Sequence, residues 1–226
     1  MGKFINIRDI IIYEDNHIIV INKPSNVLVQ EDNTLDDDLI SLLKIYLKEK
    51  YSKPGNVYLG LVHRLDRMTS GVMVFAKTSK AASRLSESIR KNEIKKSYYA
   101  VVCGVPDTSG KFCDYLSKDS KINLSFVTDK TMGKESILRY KLVDSKDNLS
   151  LVDIDLETGR SHQIRVQFAH RNFPLYGDHK YNKNATSNQD LALFSYKLTF
   201  NHPIKKEKMT FSLPLPKENP FNKFKI

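Results

Sequence analysis

Val62-His63-Arg64-Leu65-Asp66-Arg67-Met68-Thr69-Ser70-Gly71-Val72-Met73-Val74-Phe75-Ala76-Lys77-Thr78 is the stretch around which the chain is read. A single carboxylate, Asp66, lies between two arginines, Arg64 and Arg67. A Thr-Ser-Gly turn follows, and then an apolar run over residues 72–76 that predicts a buried strand. An acid on a loop that feeds a rigid strand is a way to hold a reactive carboxylate. The flanking cations favour its ionised form and can also meet an anionic substrate. Read alone, the same residues describe a surface ion pair beside a turn, which is common and worth little.

Outward from that stretch, the chain reads as alternating strands and helices. Two short apolar runs at residues 10–13 and 18–21, split by Glu14-Asp15-Asn16-His17, predict a hairpin whose second strand ends at Lys23-Pro24. Thr34 is placed to cap a helix carrying Leu39, Leu42, Leu43, Tyr46 and Leu47 on one face, with Lys44, Lys48 and Lys50 toward its end. Pro54-Gly55 breaks the chain before the central stretch. Ser79 is placed to cap a second helix with Ala82, Leu85 and Ile89 in its stripe.

Residues 95–104 are β-branched and aromatic and predict a strand on which Tyr98 and Tyr99 face opposite ways. Residues 105–134 are the least readable, a Lys-bearing excursion that is either a nucleic-acid-gripping loop or a surface hairpin. Val152, Ile154 and Leu156 alternate with acids, as in a strand with one wet face. Ser161 is placed to cap a helix with Ile164 and Phe168 on one face. Residues 191–200 and 208–213 predict two more strands joined at His202-Pro203. The count gives an α+β fold.

Composition narrows the partners. The 226 residues suit one large domain or two small ones. Lys and Arg number 36 against 26 Asp and Glu, a balance of +10 that favours polyanions such as nucleic acid. Eleven Tyr and eleven Phe supply planar faces for bases. Two cysteines, Cys103 and Cys113, make neither a disulfide framework nor a zinc cluster, so a reduced, cytoplasmic protein is expected. No apolar run approaches the ~20 residues of a membrane span, and Met1-Gly2-Lys3-Phe4 lacks a signal peptide's core. His63, His162, His170 and His179 have no metal-ligand spacing, and none is assigned to a metal.

The whole stretch from His63 to Lys77 resembles the signature of the RluA family of RNA pseudouridine synthases. Two further stretches are similar to that family's motifs: Lys96-Ser97-Tyr98 with Ala100, Val102 and Gly104, and Gly159-Arg160-Ser161-His162-Gln163-Ile164-Arg165. The resemblance covers residues 13–213 and implies a bent mixed, mostly antiparallel sheet with flanking helices and a central catalytic cleft. It also implies a single catalytic domain over 1–226 with no S4 domain.

By that likeness Asp66 is the catalytic carboxylate, Tyr98 lies against the target uridine and Arg165 forms the ion pair that holds Asp66. Ile164 dries the pocket wall, and Arg64 fills the space left by the flipped base. His63 and Arg160 complete the substrate-binding set, and His63 and His162 orient loops by hydrogen bonds. Without the likeness, Tyr98 is a core residue and Arg165 a helix-surface cation.

Pseudouridine formation breaks the uridine N1–C1′ bond, turns the base and joins C5 to C1′. Atoms are conserved, so no cofactor, metal or energy source is demanded. The target must leave its stack, at a cost of a few kcal/mol that is least in loops and single strands. The expected partner is ribosomal or transfer RNA, bound by a monomer. Two other readings are an RNA-binding protein without activity on the same scaffold, and a nuclease using Asp66 with His162.

Overall fold

The structure is a computed structural model, and it describes residues 5–32 and 36–225. In chain order the elements are α1 (Ile7–Ile10), β1 (Ile11–Glu14), β2 (Ile18–Lys23), α2 (Leu39–Lys50), β3 (Gly60–Leu61), β4 (Ser70–Ala76), α3 (Ser79–Arg90), β5 (Lys95–Cys103), β6 (Ser109–Asp119), β7 (Leu124–Thr128), β8 (Lys134–Lys146), β9 (Leu149–Leu156), α4 (Gln163–His170), β10 (Leu193–Asn201) and β11 (Lys208–Ser212). This is an α+β fold with a mostly antiparallel sheet. The chain divides into two compact units, Met1–Ile94 with Lys197–Leu213, and Lys95–Tyr196 with Pro214–Ile226.

In the first unit β1 pairs with β2, and β2 with β4, all antiparallel. β2 and β4 read as near-continuous apolar runs because both of their faces are covered. Ile18, Val20, Val72, Val74 and Ala76 form a core with Ala81 and Leu85 of α3 and with Leu198 and Phe200. On α2, Leu39, Leu43 and Leu47 are buried at the i, i+4 spacing of a helix lying on a core.

The cap of α2 is Asp38, whose carboxylate accepts from the backbone N–H groups of Ile40 and Ser41 at 2.9 and 3.1 Å. Thr34, expected as the cap, and Leu35 lie outside the described residues, as does the stretch from Met1 to Phe4. For α3 the cap is Thr78, whose Oγ1 accepts from Ala81 N at 3.2 Å, and Ser79 is the first helical residue instead.

In the second unit the strand order is β5-β9-β8-β6-β7, antiparallel throughout. The register places Tyr98 opposite Ile154, Tyr140 opposite Ile154 and Phe112 opposite Leu138. Those residues therefore share one face. α4 covers that face, with Phe168 meeting Phe112 and Tyr140 at centroid distances of 5.0 and 5.3 Å. The stretch at 105–134 is not an irregular loop. It holds β6 and β7 as a regular hairpin, with Phe112 and Leu116 turned to the α4 side.

Helix α4 is buried over Gln163, Ile164, Arg165, Val166, Gln167 and Phe168. Polar side chains enter such a site only with partners. Gln163 donates to Ile137 O at 3.1 Å and accepts from Thr158 Oγ1 at 2.8 Å, and Gln167 donates to Asp114 and to Ser136 O. Ser161 does not cap the helix: it is exposed, and the residue before α4 is His162, in the left-handed region at φ 53° with no capping side-chain bond.

Candidate active site

The residues singled out in the sequence divide between the two units. His63, Arg64 and Asp66 lie on the loop between β3 and β4 in the first, and Tyr98, Arg160, Ile164 and Arg165 lie in the second.

The Asp66 loop is held from beneath. Thr69 N donates to Asp66 O at 3.0 Å, closing a turn over residues 66–69. The side chain of Lys23, at the end of β2, is fully buried, and its Nζ donates to Pro24 O, Arg67 O and Thr69 O at 2.9, 2.8 and 2.9 Å. Ser25 Oγ donates to the remaining carbonyl, that of Met68, at 2.8 Å. The three carbonyls after Asp66 are thus satisfied by two side chains of the preceding strand end. Burial pulls the Lys23 ammonium down to about 7, with the Asp66 charge opposing the shift and Arg67 adding to it.

The arginines flanking Asp66 have different surroundings. Arg67 donates to Asn26 Oδ1 at 3.0 Å and to Asp36 Oδ2 at 2.8 Å. Arg64 is exposed, with a long 3.5 Å contact to Gln30 Oε1. His63 Nε2 accepts from the backbone N–H of Val74 at 3.1 Å, so its Nδ1 carries the proton of the neutral ring and the loop is tied to β4. Gly71, at φ 119°, turns the chain from the loop into β4, in a conformation that L side chains rarely adopt.

In the second unit Arg165 is buried and bound side-on to a fully buried carboxylate. Its Nε and Nη2 donate to Asp178 Oδ2 and Oδ1 at 2.8 and 2.7 Å, a bidentate pair. Asp178 also accepts from the backbone N–H groups of Lys180 and Tyr181 at 3.0 and 3.3 Å. Gly177, at φ 67°, brings the chain against Asp190 O so closely that no Cβ fits. The Tyr181 ring lies 5.3 Å from the Arg165 guanidinium carbon. Its hydroxyl accepts from Ser125 N at 2.8 Å and meets His162 Nδ1 at 2.8 Å. Burial pushes the Tyr181 phenol up.

Tyr98 is buried on the α4 face, the side that carries Ile164 and Arg165. Tyr99 points the other way and stacks on Tyr196 at 4.0 Å. Lys23, Asp178 and Tyr181 were not assigned roles from the sequence. The only signal for them was position: Lys23 before Pro24, and Asp178 and Tyr181 within the turn after the third motif.

A family model described as RNA pseudouridylate synthase matches residues 17–170. Ribosomal large subunit pseudouridine synthase C of Buchnera aphidicola subsp. Baizongia pistaciae is 36% identical over 218 residues, covering 92% of this chain and 67% of that protein. Ribosomal large subunit pseudouridine synthase D of Zymomonas mobilis is 32% identical over 221 residues, covering 92% and 69%. Among solved structures, Human RNA Pseudouridylate Synthase Domain Containing 4 superposes with a TM-score of 0.78 at 23% identity, over 93% of this chain and 90% of that one. The chain belongs to the RluA family of RNA pseudouridine synthases. It is by family an RNA-modifying isomerase, and it spans about two thirds of the length of the two bacterial relatives. No helix among the described residues is long and apolar enough to cross a membrane.

Proposed function

We propose that this chain converts specific uridines of large-subunit ribosomal RNA to pseudouridine, with Asp66 as the catalytic carboxylate. The observation that carries the reading is the match over 92% of the chain to a ribosomal large subunit pseudouridine synthase, with Asp66 on a loop whose following carbonyls are all tied down. A carboxylate that must act at a sugar carbon gains from such preorganisation, because no reorganisation is then needed as charge develops.

In this reading Arg165 aims Asp66. A guanidinium has five N–H donors in a fixed fork, enough in principle to serve two carboxylates, and Asp178 accepts from Nε and Nη2. Tyr98 stacks against the uracil while it is detached, and Ile164 keeps water from it. Arg64, exposed beside Asp66, fills the space in the RNA that the flipped nucleotide leaves. His63 fixes the loop on which both sit, and Arg160 contacts the RNA backbone. Both units serve one catalytic domain, acting as a monomer in the cytoplasm.

The test is to map pseudouridines in large-subunit ribosomal RNA from cells with and without the chain, and to restore it with wild type or with Asp66→Asn. Sites that vanish and return only with wild type support the reading. An RNA-binding protein without activity leaves the map unchanged, and a nuclease cuts the RNA.

A further inference from the structure

Lys96 is a half-buried cation at the start of β5, the basic residue of the second motif, and the mechanism above gives it no role. It stands two residues before Tyr98 on β5, so both side chains leave the same face, about 7 Å apart along the strand. Its ammonium lies over the backbone at Gly159, where an added methyl group would sit 3.2 Å from Nζ. A side chain there would push the ammonium away. Next in sequence is Arg160, exposed, with Nε donating to Glu135 O at 3.0 Å.

Two cations are therefore held side by side. Among the described residues Lys96 has no hydrogen-bond or ion-pair partner, and the Arg160 Nη groups have none either. The carboxylate three residues before Arg160, Glu157, is already taken by Arg139 at 2.7 Å. On the opposite face of β5, Asp155 accepts from Ser97 Oγ. Burial, and then the charge of Arg160, hold the Lys96 ammonium below its ordinary value. A half-buried ammonium beside a guanidinium, with no acid to neutralise either, is stabilised by an incoming anion.

We propose that Lys96 and Arg160 form a phosphate-binding site that grips the RNA backbone next to the nucleotide stacked on Tyr98. The proposal rests on the reading of this chain as an RNA-modifying enzyme and adds a subsite to it. The spacing suits it, since the planar ring of Tyr98 and the ammonium of Lys96 follow one another along β5, as base and phosphate do along a nucleotide, with Arg160 brought beside Lys96 by the connection from β9 to α4. Lys supplies a point charge, and Arg supplies a fork that matches phosphate oxygens.

The test uses the full chain and a fluorescein-labelled fragment of large-subunit ribosomal RNA. Affinity is measured from about 50 to 300 mM salt for wild type, Lys96→Gln, Lys96→Arg and Arg160→Gln. Each Gln variant is expected to lose about three- to tenfold in affinity and to reduce the salt slope by about 0.7, while Lys96→Arg keeps both. The slope separates a phosphate contact from a packing role, which would lower affinity without changing it. Arg160→Gln alters an exposed residue and reports even if Lys96→Gln does not fold. Wild-type affinity and slope in both Gln variants would overturn the site. Release of tritium from C5-labelled uridine by the wild type is followed in parallel. Turnover with unaltered binding in both variants sinks the phosphate site alone. Salt-sensitive binding through Lys96 and Arg160 without turnover sinks the catalytic reading and keeps the site.

Discussion

Asp178→Asn separates the aiming of Arg165 from its presence. The substitution is nearly isosteric and leaves an oxygen that can still accept from the backbone N–H groups of Lys180 and Tyr181. What it removes is the charge and one of two short bonds, those at 2.7 and 2.8 Å to the guanidinium. Both partners are buried, with side-chain exposures of 7% and 0%. Breaking such a pair on one side costs about 3–5 kcal/mol where the remaining buried charge has no other counter-charge. Since the amide keeps one acceptor, the lower end, about 3 kcal/mol, is expected. For a chain of this size that is a fall of roughly 6–12 °C in unfolding midpoint. The chain lacks tryptophan, so circular dichroism is the suitable probe. If Arg165 aims Asp66, the single-turnover rate of tritium release should also fall about 100-fold, below the folded fraction, because small misplacements of reacting groups have effects of that size. A variant that melts within 2 °C of wild type and turns over at its rate would refute the reasoning.

Glu14 gathers Lys77, Tyr51, Lys50 and Tyr46 at 2.6, 2.6, 2.8 and 3.0 Å, joining the end of β1 to α2 and to the residue after β4. Burial raises its carboxyl, but the four donors outweigh burial and hold it at about 2 instead of 4.5. A depressed carboxylate stabilises above its unfolded value and loses that contribution as pH falls from about 4.5 toward 2. Glu14→Gln should therefore cost about 3 kcal/mol at pH 7 in denaturant titrations, with the difference closing toward pH 2; a gap independent of pH would contradict it. The opposed faces of β5 give a paired test. Tyr98→Phe should slow turnover by about 100-fold or more if its hydroxyl moves a proton, whereas Tyr99→Phe, which keeps the ring stacked on Tyr196, should stay within about twofold of wild type. The reverse result would invert the face assignment.

Much of the fold was legible because its signals are local. The run at 72–76 is a fully buried strand, and the alternation at 152–156 is a strand with Val152 and Ile154 inward. Helix starts were displaced by a residue or more because several residues near each start can cap, and backbone geometry decides among them. Thr78 lies in the extended region and Asp38 also, while His162 enters α4 from the left-handed region and shuts Ser161 out. The hairpin of β6 and β7 was obscure because Phe112 and Leu116 are its main inward side chains on β6 and sit among exposed polar residues. The supports of the site were hidden for a different reason. Lys23 is buried only because carbonyls 44 and 46 residues away converge on it, and Asp178 meets Arg165 across 13 residues. Lysine and aspartate read as surface residues until such partners are known.

The central claim is that Asp66 performs the chemistry. Its most direct measurement is the single-turnover rate of tritium release from C5-labelled RNA at saturating enzyme, for wild type and Asp66→Asn, with RNA affinity measured on the same samples. The account predicts a rate lower by about 10⁴-fold or more, as for loss of an essential catalytic group, with affinity within about threefold of wild type. An Asp66→Asn chain that isomerises uridine at the wild-type rate would contradict it.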